Sequence, residues 1–172
     1  MGAKLCLIVA TSLFGCSAAA AAAGPTDPQI AHIAYTAGNI DIEAAKLALT
    51  KSKTPAVREF ASEMMRDHEA VNEKALALAK GLHVTPEPNA TSESLTKQAT
   101  ETKAKLAKLS GRAFDKAYAA NEVAFHSTVN SALKSTLIPA VDNGELKSLL
   151  ETGLTLFSEH QKHAEHLSAN LR

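Results

Sequence analysis

Apolar residues recur at alternating steps of four and three along Val57, Ala61, Met64, His68, Val71, Ala75 and Leu78. That spacing marks one face of an α-helix and fits no strand, so the stretch must bury a helical stripe against other helices. Only His68 breaks the apolar run, near its middle. Two further helical stretches also carry a histidine near mid-length, His126 and His160, and a fourth carries Asp41 at a similar height.

The rest of the chain divides around these stretches. Asp27 and Pro28 are expected to open a first helix, as N-cap and first-turn proline, running to about Lys53. Ile30, Ile33, Ala37, Ile40, Ala44 and Leu47 would face inward, with Asp41 beside that stripe. Thr54 and Pro55 start a second helix that runs to Lys80, with Gly81 as the residue just past its end. The connection is short enough to make the pair an antiparallel hairpin. Residues 82–92, with Pro86 and Pro88, form a crossover, and 92–109 a polar, peripheral helix. Helix three follows Ser110 and Gly111, spans 112–137 and is stopped by Pro139; Phe114, Tyr118, Glu122, Phe125, Val129 and Leu133 face inward, with His126 adjacent. After a turn at Asp142, Asn143 and Gly144, helix four presents Leu146, Leu150, Gly153, Phe157, His160, Ala164, Leu167 and Leu171. Four helices of roughly 26 to 29 residues would each span about 40 Å. No strand pattern appears, and aromatic residues make up only 4% of the chain. The expected fold is all-α, an antiparallel four-helix bundle with a short extra helix in the crossover.

Residues 1–23 stand apart. Lys4 and the apolar run 5–14 have the form of an export signal, too short to span a bilayer. Two processing routes fit: Cys16 as the lipidated first residue of a lipoprotein, or cleavage within the alanine run 18–23. Either implies the bacterial periplasm or outer membrane, with 27–172 as the bundle domain on an Ala-rich tether. Cys6 and Cys16 are the chain's two cysteines. The domain then has no thiol, and any metal must be held by His, carboxylate or Met. A formal net charge of zero gives no basis for nucleic-acid binding. A homo-oligomer is compatible with the sequence.

In a bundle of equal helices the midpoints coincide, whichever way each helix runs. Asp41, His68, His126 and His160 therefore meet in one layer, joined by Glu122 one turn before His126. Burying such groups without partners is costly. Two solutions exist: a transition metal (iron, zinc, copper or manganese), or a hydrogen-bond network that only fixes helix register. Three histidines at one level on three helices favour the metal. Met64, Tyr118 and Asp67 have simpler readings as core filler, core aromatic and surface or supporting carboxylate. His163 and His166 read as a solvated helix end, and His32 and His83 as surface and loop residues. There is no Gly-rich phosphate loop, nucleophile elbow or haem-attachment motif. A catalytic role is the less favoured option and would take the form of an oxidase or peroxide-consuming activity.

The runs Phe60-Ala61-Ser62-Glu63-Met64-Met65-Arg66-Asp67-His68 and Leu109-Ser110-Gly111-Arg112-Ala113-Phe114-Asp115-Lys116-Ala117-Tyr118, with His126, resemble a bacterial envelope family of unknown function. Its members are often labelled predicted outer-membrane proteins. The resemblance covers 27–171 and implies a ferritin-like bundle, an envelope location and a metal site, but no settled activity. Ferritins place a Glu-x-x-His pair on each of two helices. Here Met65, Val123 and Phe157 stand three residues before the histidines, so a histidine-rich mononuclear or imperfect dinuclear site fits better. The expected function is metal binding for buffering or stress protection. The alternative is a non-catalytic structural or interaction module of the envelope.

Overall fold

The structure, a computed structural model, describes residues 24–171. The export signal and both cysteines lie outside the described residues. Within them the chain is all-helical, with no strand: α1 (Asp27–Lys51), α2 (Pro55–Gly81), α3 (Ala90–Ala107), α4 (Gly111–Ala132), a π-helical turn (Leu133–Leu137), α5 (Ile138–Ala140) and α6 (Gly144–Asn170). None of these helices is long and apolar enough to cross a membrane.

Local chemistry explains the boundaries. Thr26, not Asp27, is the N-cap of α1. The Asp27 carboxylate instead accepts from the backbone N–H groups of Asp142 and Asn143 at 3.0 and 2.8 Å, tying the start of α1 to the turn before α6. Thr54 does precede α2, but its hydroxyl donates to Asp115 Oδ2 at 2.6 Å instead of capping its own helix. Asn89 caps α3 and Asn143 caps α6, each accepting from two backbone N–H groups. Gly111 begins α4 at φ +54°, a conformation that costs glycine little.

Pro139 does not stop the helix where expected. Proline lacks the N–H that would bond four residues back. The chain widens into the π turn just before it, with Ile138 N–H reaching Leu133 O, and then completes α5.

The helix directions follow from which residues meet. Gly38 faces Asn72, Asp41 faces His68, and Arg58 bonds the carbonyls of Leu49 and Ser52, so α1 and α2 are antiparallel. A Cβ on Gly38 would lie 2.3 Å from Asn72 Oδ1, so this pair needs glycine to approach so closely. Arg112 reaches Leu171 while Asn130 reaches Phe157, so α4 and α6 are antiparallel too. Phe60 meets Tyr118 and His68 meets His126 at the same offset, so α2 and α4 run parallel. The long connection carrying α3 lets α2 and α4 point the same way.

Two apolar clusters fill the interior. One gathers Val57, Phe60, Met64, Phe114, Tyr118 and Leu167. The other gathers Ile30, Ile33, Leu133, Leu146, Leu150 and Phe157. The inner faces of α2 and α6 largely follow the apolar spacing, but those of α1 and α4 are rotated from it. Ile40, Ala44 and Leu47 are only half-buried, while Asp41, Ala45 and Ala48 are buried. On α4, His126 and Asn130 are buried while Phe125 and Val129 are half-buried. Asp41 and His126 thus stand on the inner face itself and not beside it.

Candidate metal centre

Four helices contribute to one layer between the two clusters. Asp41 comes from α1, His68 from α2, Glu122 and His126 from α4, and His160 from α6; none is more than 3% exposed. The structure brings all five sequence-predicted residues together. The three imidazoles form a nearly equilateral triangle, with ring centroids 5.4 Å apart for His68 and His160, 5.5 Å for His126 and His160, and 5.8 Å for His68 and His126. Packing fixes the rings: His68 stacks on Phe157 at 4.6 Å, and Phe125 meets His126 edge-on at 6.0 Å.

The polar atoms of this layer face one another without ordinary partners. Asp41 Oδ2 lies 3.2 Å from His68 Nε2 and 3.3 Å from His126 Nε2. Neither contact meets hydrogen-bond geometry, and both Asp41 oxygens, both His68 nitrogens, His126 Nε2 and His160 Nδ1 are buried without a hydrogen-bond partner. His126 is the most informative. Its Nδ1 lies 3.0 Å from the carbonyl oxygen of Glu122. A carbonyl only accepts, so Nδ1 carries the proton. In the neutral ring Nε2 is then a lone pair, 3.3 Å from a carboxylate oxygen. Two acceptors at that distance need a cation between them.

Electrostatics supports those protonation states. Burial, aided by His68, lowers the His126 and His160 imidazoles below their ordinary value against the pull of nearby carboxylates. Burial pushes the Asp41 carboxyl up, but His68, His126 and His160 together outweigh it and hold the group below the usual carboxylate range. Burial, then the charge of Asp41, drives Glu122 well above that range. The same causes, burial followed by Glu122 and Asp41, raise the Tyr118 phenol. The layer thus combines the neutral imidazoles of His126 and His160 with one carboxylate, Asp41, and one carboxylic acid, Glu122.

Ligand-capable atoms of His68, His126 and His160 lie within 4.8 Å of one another, as do those of Asp41, Glu122 and His126. Both buried groups can hold a metal ion. A donor set of imidazole nitrogen and carboxylate oxygen suits zinc, iron or copper. Met64 is fully buried in the apolar cluster, as a core filler would be. On one side of the layer, His68 and His126 line a cavity of about 920 Å³.

Asp67 carries more than a surface reading assigns it. Its Oδ2 lies 3.1 Å from His160 Nε2, and its Oδ1 accepts from Arg66 Nε at 2.8 Å. Burial raises its carboxyl, yet the bonds from Arg66 and His160 hold it below the ordinary value. His163, expected at a solvated end, is paired with Glu63 at 2.7 Å. The signal for both was their helical spacing: Glu63 and Asp67 one turn apart, His160 and His163 likewise. His166 is exposed and meets Asn170 at 2.9 Å, and His32 contacts Thr36 at 3.4 Å. His83 lies in the crossover.

The chain matches the family model described as Domain of unknown function (DUF4142) over residues 15–167, and it belongs to that family. This agrees with the resemblance of the runs at 60–68 and 109–118 to a family of unknown function. No curated protein and no solved structure matches the chain.

Proposed function

We propose that this DUF4142-family chain is an exported envelope protein with a ferritin-like four-helix bundle. It binds a transition metal in its core through His68, His126, His160 and Asp41, with Glu122 alongside. Its role is metal buffering or stress protection in the periplasm or at the outer membrane, with Cys16 as the lipid-anchor residue. The parallel α2 and α4, joined by one long crossover, support the ferritin-like topology. The observation that carries metal binding is the His126 Nε2 lone pair facing Asp41 Oδ2 at 3.3 Å, both atoms buried. A hydrogen-bond network would place a proton along that line; the Glu122 carbonyl has already claimed it on the other nitrogen.

His68→Leu tests this reading against a purely structural layer. The metal reading predicts that the variant keeps its helix content and loses a bound metal that the wild type retains. A wild type that binds no added zinc, iron or copper, with a variant of equal or greater stability, would assign the layer to structure alone.

A further inference from the structure

Outside the core layer, α2 and α6 place four further metal-ligand side chains on one face. Glu63 and Asp67 stand one turn apart on α2, and His160 and His163 one turn apart on the antiparallel α6. Glu63 Oε2 lies 2.7 Å from His163 Nδ1, and Asp67 Oδ2 lies 3.1 Å from His160 Nε2. Donor atoms of Glu63, Asp67 and His160 all fall within 4.8 Å of one another. The His163 ring is held edge-on against the fully buried Phe60, with centroids 5.0 Å apart.

These side chains grade from solvent to core. Their exposures are 39% for His163, 31% for Glu63, 19% for Asp67 and 2% for His160. His160 belongs both to this cluster and to the buried imidazole triangle. The cluster sets two carboxylates beside two imidazoles, and Arg66 offsets the charge of one carboxylate. Arg66 engages Asp67 through Oδ1 and leaves Oδ2 facing His160. Two nitrogen and two oxygen donors suit a borderline divalent cation such as zinc or ferrous iron.

We propose that Glu63, Asp67, His160 and His163 form a second, outer site for a divalent cation on the α2/α6 face, and that this site loads the core. The site stands on its own geometry; the loading step rests on the core reading above. Because His160 is common to both groups, an ion passes inward past His160 by exchanging Glu63, Asp67 and His163 for His68 and His126. No oxidation or covalent step is involved.

The test is a zinc titration of the untagged, intact protein, its His68→Ala/His126→Ala variant, its Glu63→Gln/His163→Ala variant and the combination of all four substitutions. Helix content is followed by circular dichroism. The core variant should still bind one zinc, and that ion should disappear in the combined variant. The outer variant should keep the core ion but fill it at least about tenfold more slowly. A core variant that binds no zinc, where the wild type binds one, overturns the outer site and leaves the core reading intact. Core filling at the wild-type rate in the outer variant overturns the loading step. A wild type that binds no zinc at all overturns both readings. Glu63 and His163 are half-exposed, so their substitutions should leave the fold in place.

Discussion

On one side of the histidine layer, Val57, Phe60, Ala61, Met64, Phe114 and Tyr118 are completely buried, with Phe60 edge-on to Tyr118 and Phe114 parallel to it. On the other side, Val71, Ala75, Leu78 and Val129 continue the helical spacing but are only half-buried, around the cavity of about 920 Å³. Leu76, 45% exposed, is part of that lining. One repeating pattern thus produces a close-packed end and a hollow end. Close packing gives the layer a fixed wall, and Asp115 reinforces it by bonding Thr54 at the α1–α2 connection. The hollow end leaves His68 and His126 reachable from one side. The cavity lies within the size range of small-molecule sites.

The contrast can be broken by substitution. Phe60→Ala at the close-packed end should destabilise by about 3 to 5 kcal/mol, and Leu150→Ala beside the cavity by about 2 kcal/mol. Urea unfolding measures both, and equal losses would contradict the difference between the ends. Adding volume should act with opposite sign. Ala61→Leu should cost about 1 to 3 kcal/mol through overpacking. Ala75→Leu, directed at the cavity, should be neutral or stabilise by up to about 1 kcal/mol.

The layer between the ends sets the dependence on pH in the metal-free protein. His126 and His160 have folded values below 6.5, so the stability they contribute is present above pH 6.5 and falls as acid charges them in the unfolded chain. Glu122 acts in the opposite sense. Its folded value lies well above 4.5, so its contribution is complete below pH 4.5 and is lost as pH rises toward the folded value. Glu122→Gln mimics the protonated acid. It should stabilise the metal-free protein at pH 7 by on the order of 1 kcal/mol or more, with no gain near pH 4. A gain independent of pH would show that the fold does not raise the Glu122 carboxyl.

Much of this was legible in the spacing of apolar residues. All-helical structure, the hairpin of α1 and α2, the crossover and the meeting of Asp41, His68, Glu122, His126 and His160 all follow from period and helix length. The inward phase of α1 and α4 was not legible. Apolar spacing assigns Ile40, Phe125 and Val129 to the interior, yet Asp41, His126 and Asn130 are the buried residues. Asn130 donates to Phe157 O and Gln161 Oε1, so its burial depends on partners from another helix that no local pattern contains. The same holds for Asp67, whose partner His160 is remote in sequence. The continuation past Pro139 was hidden too, because the widened turn that permits it leaves no periodic trace.

The most direct measurement is elemental analysis of the untagged protein purified from its native envelope fraction, beside the His68→Ala/His126→Ala variant. The expected result is near-stoichiometric iron, zinc or copper in the wild-type core, so that the variant holds about one equivalent of metal less per chain than the wild type. A wild-type protein that arrives without metal and takes up none when it is supplied would contradict the account and leave the histidine layer as structure.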